Sequence, residues 1–127
     1  MIIGIGTDLF DVSRISLQAI RDDDPFLRRS FTAAECAQAS QREIPLYYYA
    51  TRFAGKEAVY KAISQCKLEF RPSEIEILDD SDGRPHVHLN GDTAQEFTRM
   101  VAEYRIFLSL SFEKDLVSAF AVIERNN

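Results

Sequence analysis

Pro45 is followed by a stretch, residues 46–65, whose apolar positions fall at helical spacing. At about 100° per residue, Leu46, Tyr49, Ala50, Phe53 and Tyr60 form one stripe. The spacing predicts a long helix, and that stripe must be covered. The rest of the chain offers short strands to cover it. Residues 2–10 alternate, with Ile3, Ile5 and Leu9 on one face and Gly4, Gly6, Asp8 and Phe10 on the other. Residues 75–78 and 86–89 read as strands joined through the turn signal Asp82-Gly83. Residues 106–112 alternate and pair with 117–123 across Glu113-Lys114-Asp115. Shorter helices are expected over 12–21, ended by Asp22-Asp23-Asp24-Pro25, from the capping box Thr32-Ala-Ala-Glu35, and from Gly91 to about residue 104. The order β-α-α-α-β-β-α-β-β predicts an α+β fold, an antiparallel sheet packed against the long helix.

A length of 127 residues gives one domain over 1–127. Such a domain buries about two thirds of its unfolded surface, enough for a core but not for a deep enclosed cleft. Net charge is −5, which argues against a nucleic-acid partner. No apolar run approaches the ~18 residues of a membrane span, so no membrane partner is expected. Met1 to Thr7 lacks a basic region, and Asp8 breaks its apolar run, so it does not read as a signal peptide. A cytoplasmic protein is expected. Cys36 and Cys66 form no metal-binding spacing and read as structural thiols in a reducing compartment. His86 and His88 share a strand face without a third ligand and are placed on the solvent side of their hairpin.

Three features break the local rules. Glu57 falls inside the apolar stripe, where an unpaired carboxylate would be costly to bury. Either it pairs with Lys61 one turn on, or it faces a polar site containing a cation. Asp8 shares its strand face with Gly4 and Gly6, which admit close approach to the backbone. It either caps a turn or joins Glu57 as a ligand of a hard cation such as Mg²⁺. Arg52, Lys56 and Lys61 concentrate positive charge beside that acid, as a solvated face or as a phosphate site.

These residues carry a resemblance. Arg52-Phe-Ala-Gly-Lys-Glu-Ala-Val-Tyr-Lys61-Ala resembles the R-F-x-x-K-E-A-x-x-K-A signature of the phosphopantetheinyl transferases. Gly4-Ile-Gly-Thr-Asp8 with Arg14-Ile15 resembles their other signature. Phe26 with Arg29, Thr32 with Glu35, Ile75-Glu-Ile, Asp82-Gly-x-Pro85 and Ser109-Leu-Ser with Lys114 extend the match along nearly the whole chain. The length is that of the short holo-acyl-carrier-protein synthase branch, not of the double-length, two-lobed enzymes.

The resemblance implies transfer of phosphopantetheine from coenzyme A to a serine of an apo-acyl carrier protein, releasing adenosine 3′,5′-bisphosphate, within fatty acid and lipid metabolism. It implies a homotrimer with active sites between neighbouring subunits. By the same resemblance Asp8 and Glu57 bind Mg²⁺ with the coenzyme A diphosphate, and Arg52, Lys56 and Lys61 neutralise phosphates. Lys61 also protonates or stabilises the leaving phosphate, which makes Asp8, Glu57 and Lys61 the catalytic set. Ser111 and Phe112 contact coenzyme A, and Arg14, Arg21, Phe26 and Arg29 dock the acidic carrier protein. The chain departs from the pattern in three places. Phe112 stands where the family has histidine, Ile63-Ser-Gln-Cys-Lys-Leu lacks the family's glycine turn, and Asp22-Asp23-Asp24 puts negative charge beside the docking surface. Those departures give the alternative, a paralogue that binds carrier protein or coenzyme A without efficient transfer.

Overall fold

The computed structural model describes residues 1–15, 24–63 and 68–126. Strand β1 (Ile2–Asp11) pairs antiparallel with β5 (Leu116–Arg125), which pairs antiparallel with β4 (Tyr104–Glu113). Strands β2 (Ile75–Asp79) and β3 (Pro85–Leu89) form a separate hairpin. Helix α1 spans Pro25–Ser30, α2 Ala33–Ser40, α3 Pro45–Ala62 and α4 Gly91–Met100. The fold is α+β with antiparallel pairing throughout, as the pattern predicts.

The three-stranded sheet alternates cleanly. Gly6, Asp8, Phe10, Val117, Ala119, Ala121 and Ile123 point inward and are buried. Helix α3 lies across them and presents Ala50, Ala54, Ala58 and Ala62, all at most 2 % exposed. Alanines four apart make one smooth ridge, so helix and sheet backbones approach closely. The second side of α3 is covered by the hairpin, where Ile75 and Ile77 are fully buried, and by α2. Gly55 admits this second layer, since a Cβ there would meet Ile77 Cδ1 at 2.7 Å.

The helix is therefore buried nearly all round, with 12 of its 18 residues inside. The single stripe read from the sequence is not what is covered, for Leu46 and Tyr60 are only half-buried while Arg52 and Lys56 are buried. Two layers pack on α3, and a one-faced wheel expects only one. Four elements also differ from the sequence expectation. Instead of a helix over 12–21 the chain makes one 3-10 turn, Val12–Arg14, and Ile15 is already extended; residues 16–23 lie outside the described residues. Helix α1 was not foreseen, because Pro25 read as a stop. It is a start: Asp24 accepts from the Phe26 N–H at 2.8 Å, and Pro25 sits in the first turn, where its missing N–H costs nothing. Pro45 opens α3 in the same way, and the helix ends at Ala62 rather than residue 65. Helix α4 ends at Met100, before residue 104. The capping box forms as expected, with Glu35 N–H on Thr32 Oγ1 at 3.2 Å and Thr32 N–H on Glu35 Oε1 at 2.9 Å.

Candidate active site

The closest approach of strand and helix creates the first cluster. A Cβ at Gly4 would lie 2.1 Å from the Ala62 carbonyl oxygen, and one at Gly6 1.9 Å from that of Ala58. The two glycines thus bring β1 against the last turns of α3, and Asp8, two residues on, meets Glu57 and Lys61. Lys61 Nζ donates to the Thr7 carbonyl at 2.9 Å and to Asp8 Oδ1 at 3.3 Å. Asp8 is buried, and its Oδ2 has no donor. Burial, then the Asp8 carboxylate beside it, hold the Glu57 carboxyl above its usual range, while Arg14 and Lys61 act in the opposite direction. Two neighbouring carboxyls of this kind favour a proton or a cation beside them.

That arrangement fits Mg²⁺. It offers hard oxygen donors, one of them a buried atom lacking any donor. Among the described residues no third histidine, cysteine or carboxylate joins the pair. Two protein carboxylates suit a metal that completes its shell with ligand phosphates and water.

Arg14 and Phe26 border the same cluster. The Arg14 guanidinium lies 4.6 Å from the Phe10 ring centroid, Phe10 packs on Phe53 at 5.3 Å, and Phe53 on Phe26 at 5.8 Å. Phe26 keeps an exposed edge, and Arg29 is exposed on the same short helix. Arg21 lies outside the described residues.

A second cluster forms on the other flank of α3. Arg52 precedes Glu57 by five residues, about 140° around the helix and about 7.5 Å along it. Its guanidinium is buried, donates to Thr51 Oγ1 at 3.1 Å, and lies 4.0 Å from the Tyr48 ring centroid. It also pairs closely with Asp79 Oδ2, which Arg42 reaches at 2.7 Å. Phe112 stacks on Tyr47 with centroids 5.7 Å apart. Together Arg42, Tyr47, Tyr48, Arg52, Asp79 and Phe112 line an open pocket of about 280 Å³. Ser111 is exposed, hydrogen-bonded across the strands to Ser118 at 3.3 Å, and belongs with Phe112 to an adjoining groove.

Lys56 corrects the sequence reading. It is fully buried, and its Nζ donates to Glu35 Oε1 at 2.8 Å, the Pro72 carbonyl at 2.9 Å and the Ile75 carbonyl at 2.7 Å. All three donors are used, so the ammonium has none left for a phosphate. Glu35 Oε2 in turn accepts from the Ile77 N–H at 2.8 Å. This buried pair ties α2, α3 and β2 together. Lys56 adjoins Glu57 in sequence but points into the hairpin, because neighbours on a helix diverge by 100°. Asp79, Arg42 and Tyr47 were missed; only the position of Asp79 just before the Asp82-Gly83 turn hinted at it.

The remaining expectations fall simply. His86 is exposed and pairs with Asp80 at 2.8 Å, and backbone N–H from Arg84 followed by His86 holds the Asp80 carboxyl below its usual range. Cys36 is a half-buried free thiol; Cys66 lies outside the described residues. No described helix is long and apolar enough to cross a membrane.

Fold and site together define a small α+β domain with an acid pair and cations on the flanks of one central helix. Residues 4–121 match the 4′-phosphopantetheinyl transferase superfamily, and the chain belongs to that family. It is 38% identical to the holo-[acyl-carrier-protein] synthase of Paramagnetospirillum magneticum, over 98% of this chain and 97% of that protein. It is 35% identical to the protein of the same name from Clostridium novyi, over 100% of this chain and 91% of the other. Among solved structures, the coenzyme A complex of the Chronobacterium ammoniagenes synthase superposes with a TM-score of 0.85 at 27% identity, covering 97% of each chain.

Proposed function

We propose that this chain is a holo-acyl-carrier-protein synthase. It moves phosphopantetheine from coenzyme A to a carrier-protein serine: the serine oxygen bonds to the phosphorus next to pantetheine, and the bond to adenosine 3′,5′-bisphosphate breaks. The observation that carries this reading is the buried Asp8 oxygen without a donor, set against the Glu57 carboxyl. Asp8 and Glu57 would hold Mg²⁺, which would supply neutralisation of the diphosphate and of charge on the leaving oxygen. Lys61, fixed by Thr7 and Asp8 yet half exposed, offers its ammonium to the leaving phosphate. The Arg52 pocket, with Phe112 and Ser111 at its mouth, takes the nucleotide portion. Arg14, Phe26 and Arg29 form the basic, partly apolar border that an acidic carrier protein approaches, with Arg21 part of the same assignment. The intact acid pair favours transfer over a binding-only paralogue.

The two clusters lie on opposite flanks of one helix, so a single copy does not join them. The outer face of the sheet exposes Ile5, Leu9, Phe107, Leu116 and Phe120, each 49–70% exposed. A contiguous apolar face on one side of an antiparallel sheet fits burial against further copies. The assembly is a homotrimer in which one subunit's nucleotide pocket faces its neighbour's acid pair.

The test is incubation with apo-carrier protein, coenzyme A and Mg²⁺, read by mass spectrometry. A phosphopantetheine mass gain on the carrier is expected, abolished by Asp8→Ala and by Glu57→Ala in folded protein. No gain on any of a panel of apo-carriers overturns the reading.

A further inference from the structure

The nucleotide pocket contains its own anion. Asp79 ends β2, and its backbone is clamped on both sides by one side chain: Gln38 Nε2 donates to the Asp79 carbonyl at 2.9 Å, and the Asp79 N–H donates to Gln38 Oε1 at 3.0 Å. The Tyr48 hydroxyl holds the same Gln38 oxygen at 2.9 Å. Thus anchored, the Asp79 carboxylate projects between Arg42 and Arg52 and places one oxygen, Oδ2, against both guanidiniums.

The two arginines are not equivalent. The Arg42 side chain is 43% exposed, whereas that of Arg52 is 6% exposed. Arg52 is also incompletely satisfied. Its Nη2 touches Asp79 without the angle of a hydrogen bond, and its Nε, equally buried, has no acceptor. A buried guanidinium whose Nε lacks an acceptor can take a further anionic oxygen.

We propose that Asp79 is an affinity-setting residue of this pocket, an internal competitor whose carboxylate occupies the place between Arg42 and Arg52 that a ligand phosphate takes. The inference rests on the reading of this pocket as the seat of the nucleotide portion of coenzyme A. A phosphate that reaches Arg52 Nε comes within a few ångströms of the Asp79 carboxylate, and the like charges repel. It enters only as the carboxylate turns aside and Arg42 exchanges partners. Asp79 thereby weakens the binding of any ligand that places a phosphate there.

The test uses Asp79→Asn, which keeps size and an acceptor oxygen for the arginines but removes the charge. Calorimetric titration with adenosine 3′,5′-bisphosphate, without metal, compares it with the unaltered protein after thermal melting has shown both folded. Asp79→Ser carries the same expectation should the asparagine variant fold poorly. The expected result is binding about tenfold tighter at low salt, falling to about twofold near 0.5 M salt as the charge is screened. A purely structural role would not produce that salt dependence. Unchanged or weaker binding by the variants shows that Asp79 orients the arginines rather than competing, and overturns the inference while leaving the proposed function standing. Absence of binding to the unaltered protein and the variants alike overturns both.

Discussion

Gly6→Ala tests the packing that creates the acid pair. The added Cβ would sit 1.9 Å from the Ala58 carbonyl oxygen, 2.9 Å from its carbon and 3.0 Å from the Ala62 nitrogen. All three are backbone atoms of α3, so no flexible side chain can yield. Ordinary contact begins near 3.4 Å, so strand and helix must part by about 1.5 Å at that point. Overpacking of this kind costs typically 1–3 kcal/mol, and with only backbone to move we expect about 3 kcal/mol. The displacement falls between the two proposed catalytic groups, since Asp8 follows Gly6 by two residues and Glu57 adjoins Ala58. Misplacement by about 1 Å can cost about 10²-fold in rate, so transfer should fall by at least that factor in protein that is still folded. Denaturant unfolding gives the first number, and kcat/KM for carrier modification, measured where the variant is folded, gives the second. Gly83→Ala is the control: it has open space around it and φ of +82°, so it should cost only about 1 kcal/mol of backbone strain and leave the acid pair in place. A Gly6→Ala protein with unaltered stability and activity would refute the reasoning.

Lys56→Met should destabilise by about 3–5 kcal/mol, because it strands the buried Glu35 charge; unfolding midpoints of this variant and of Lys56→Met with Glu35→Leu check it, the pair costing less than the single change. Lys61→Ala, at a side chain 54% exposed, should cost under about 1 kcal/mol of stability yet remove most turnover. In metal-free protein, Glu57 binds its proton more tightly when folded than the 4.5 of the free group. Its stabilising contribution is therefore full below pH 4.5 and lost as pH rises through the folded value, so stability should decline over that window and Glu57→Gln should flatten the curve. Light scattering should give a mass three times 14.5 kDa, and Phe120→Glu on the outer sheet face should lower it toward one copy.

Much of the site was readable before any tertiary contact was known. Gly4 and Gly6 on one face of a strand announce an approaching backbone, because nothing else excuses two missing side chains there. Glu57 inside an apolar stripe and Asp8 beside those glycines mark themselves through the cost of burying unpaired charge. The capping box at Thr32 and Glu35, and the hairpin turn at Asp82-Gly83, are local chemistry and formed where local chemistry put them. Proline was the ambiguous signal. Pro25 and Pro45 cannot continue a helix but can begin one, and only Asp24 as a cap distinguishes the two uses.

The tertiary structure decided how the charges divide. Arg52, Lys56 and Lys61 look alike along the sequence, yet one is clamped by Asp79 and Tyr48, one is sealed onto Glu35, and one stays half in solvent beside Asp8. The reason is geometric. A helix turns 100° per residue, so Lys61 lies about 140° around from Lys56, while Arg52 and Lys56, one turn apart on one flank, differ in height along the axis. What each meets depends on segments elsewhere in the chain, 19 residues from Lys56 at Ile75 and 54 from Lys61 at Thr7. The sequence by itself singled out Asp8, Glu57, the cations around them and two glycines on one strand face. Only the fold of two layers around one helix determined which cation became structure, which stayed half in solvent, and that Asp79 would stand between two of the arginines.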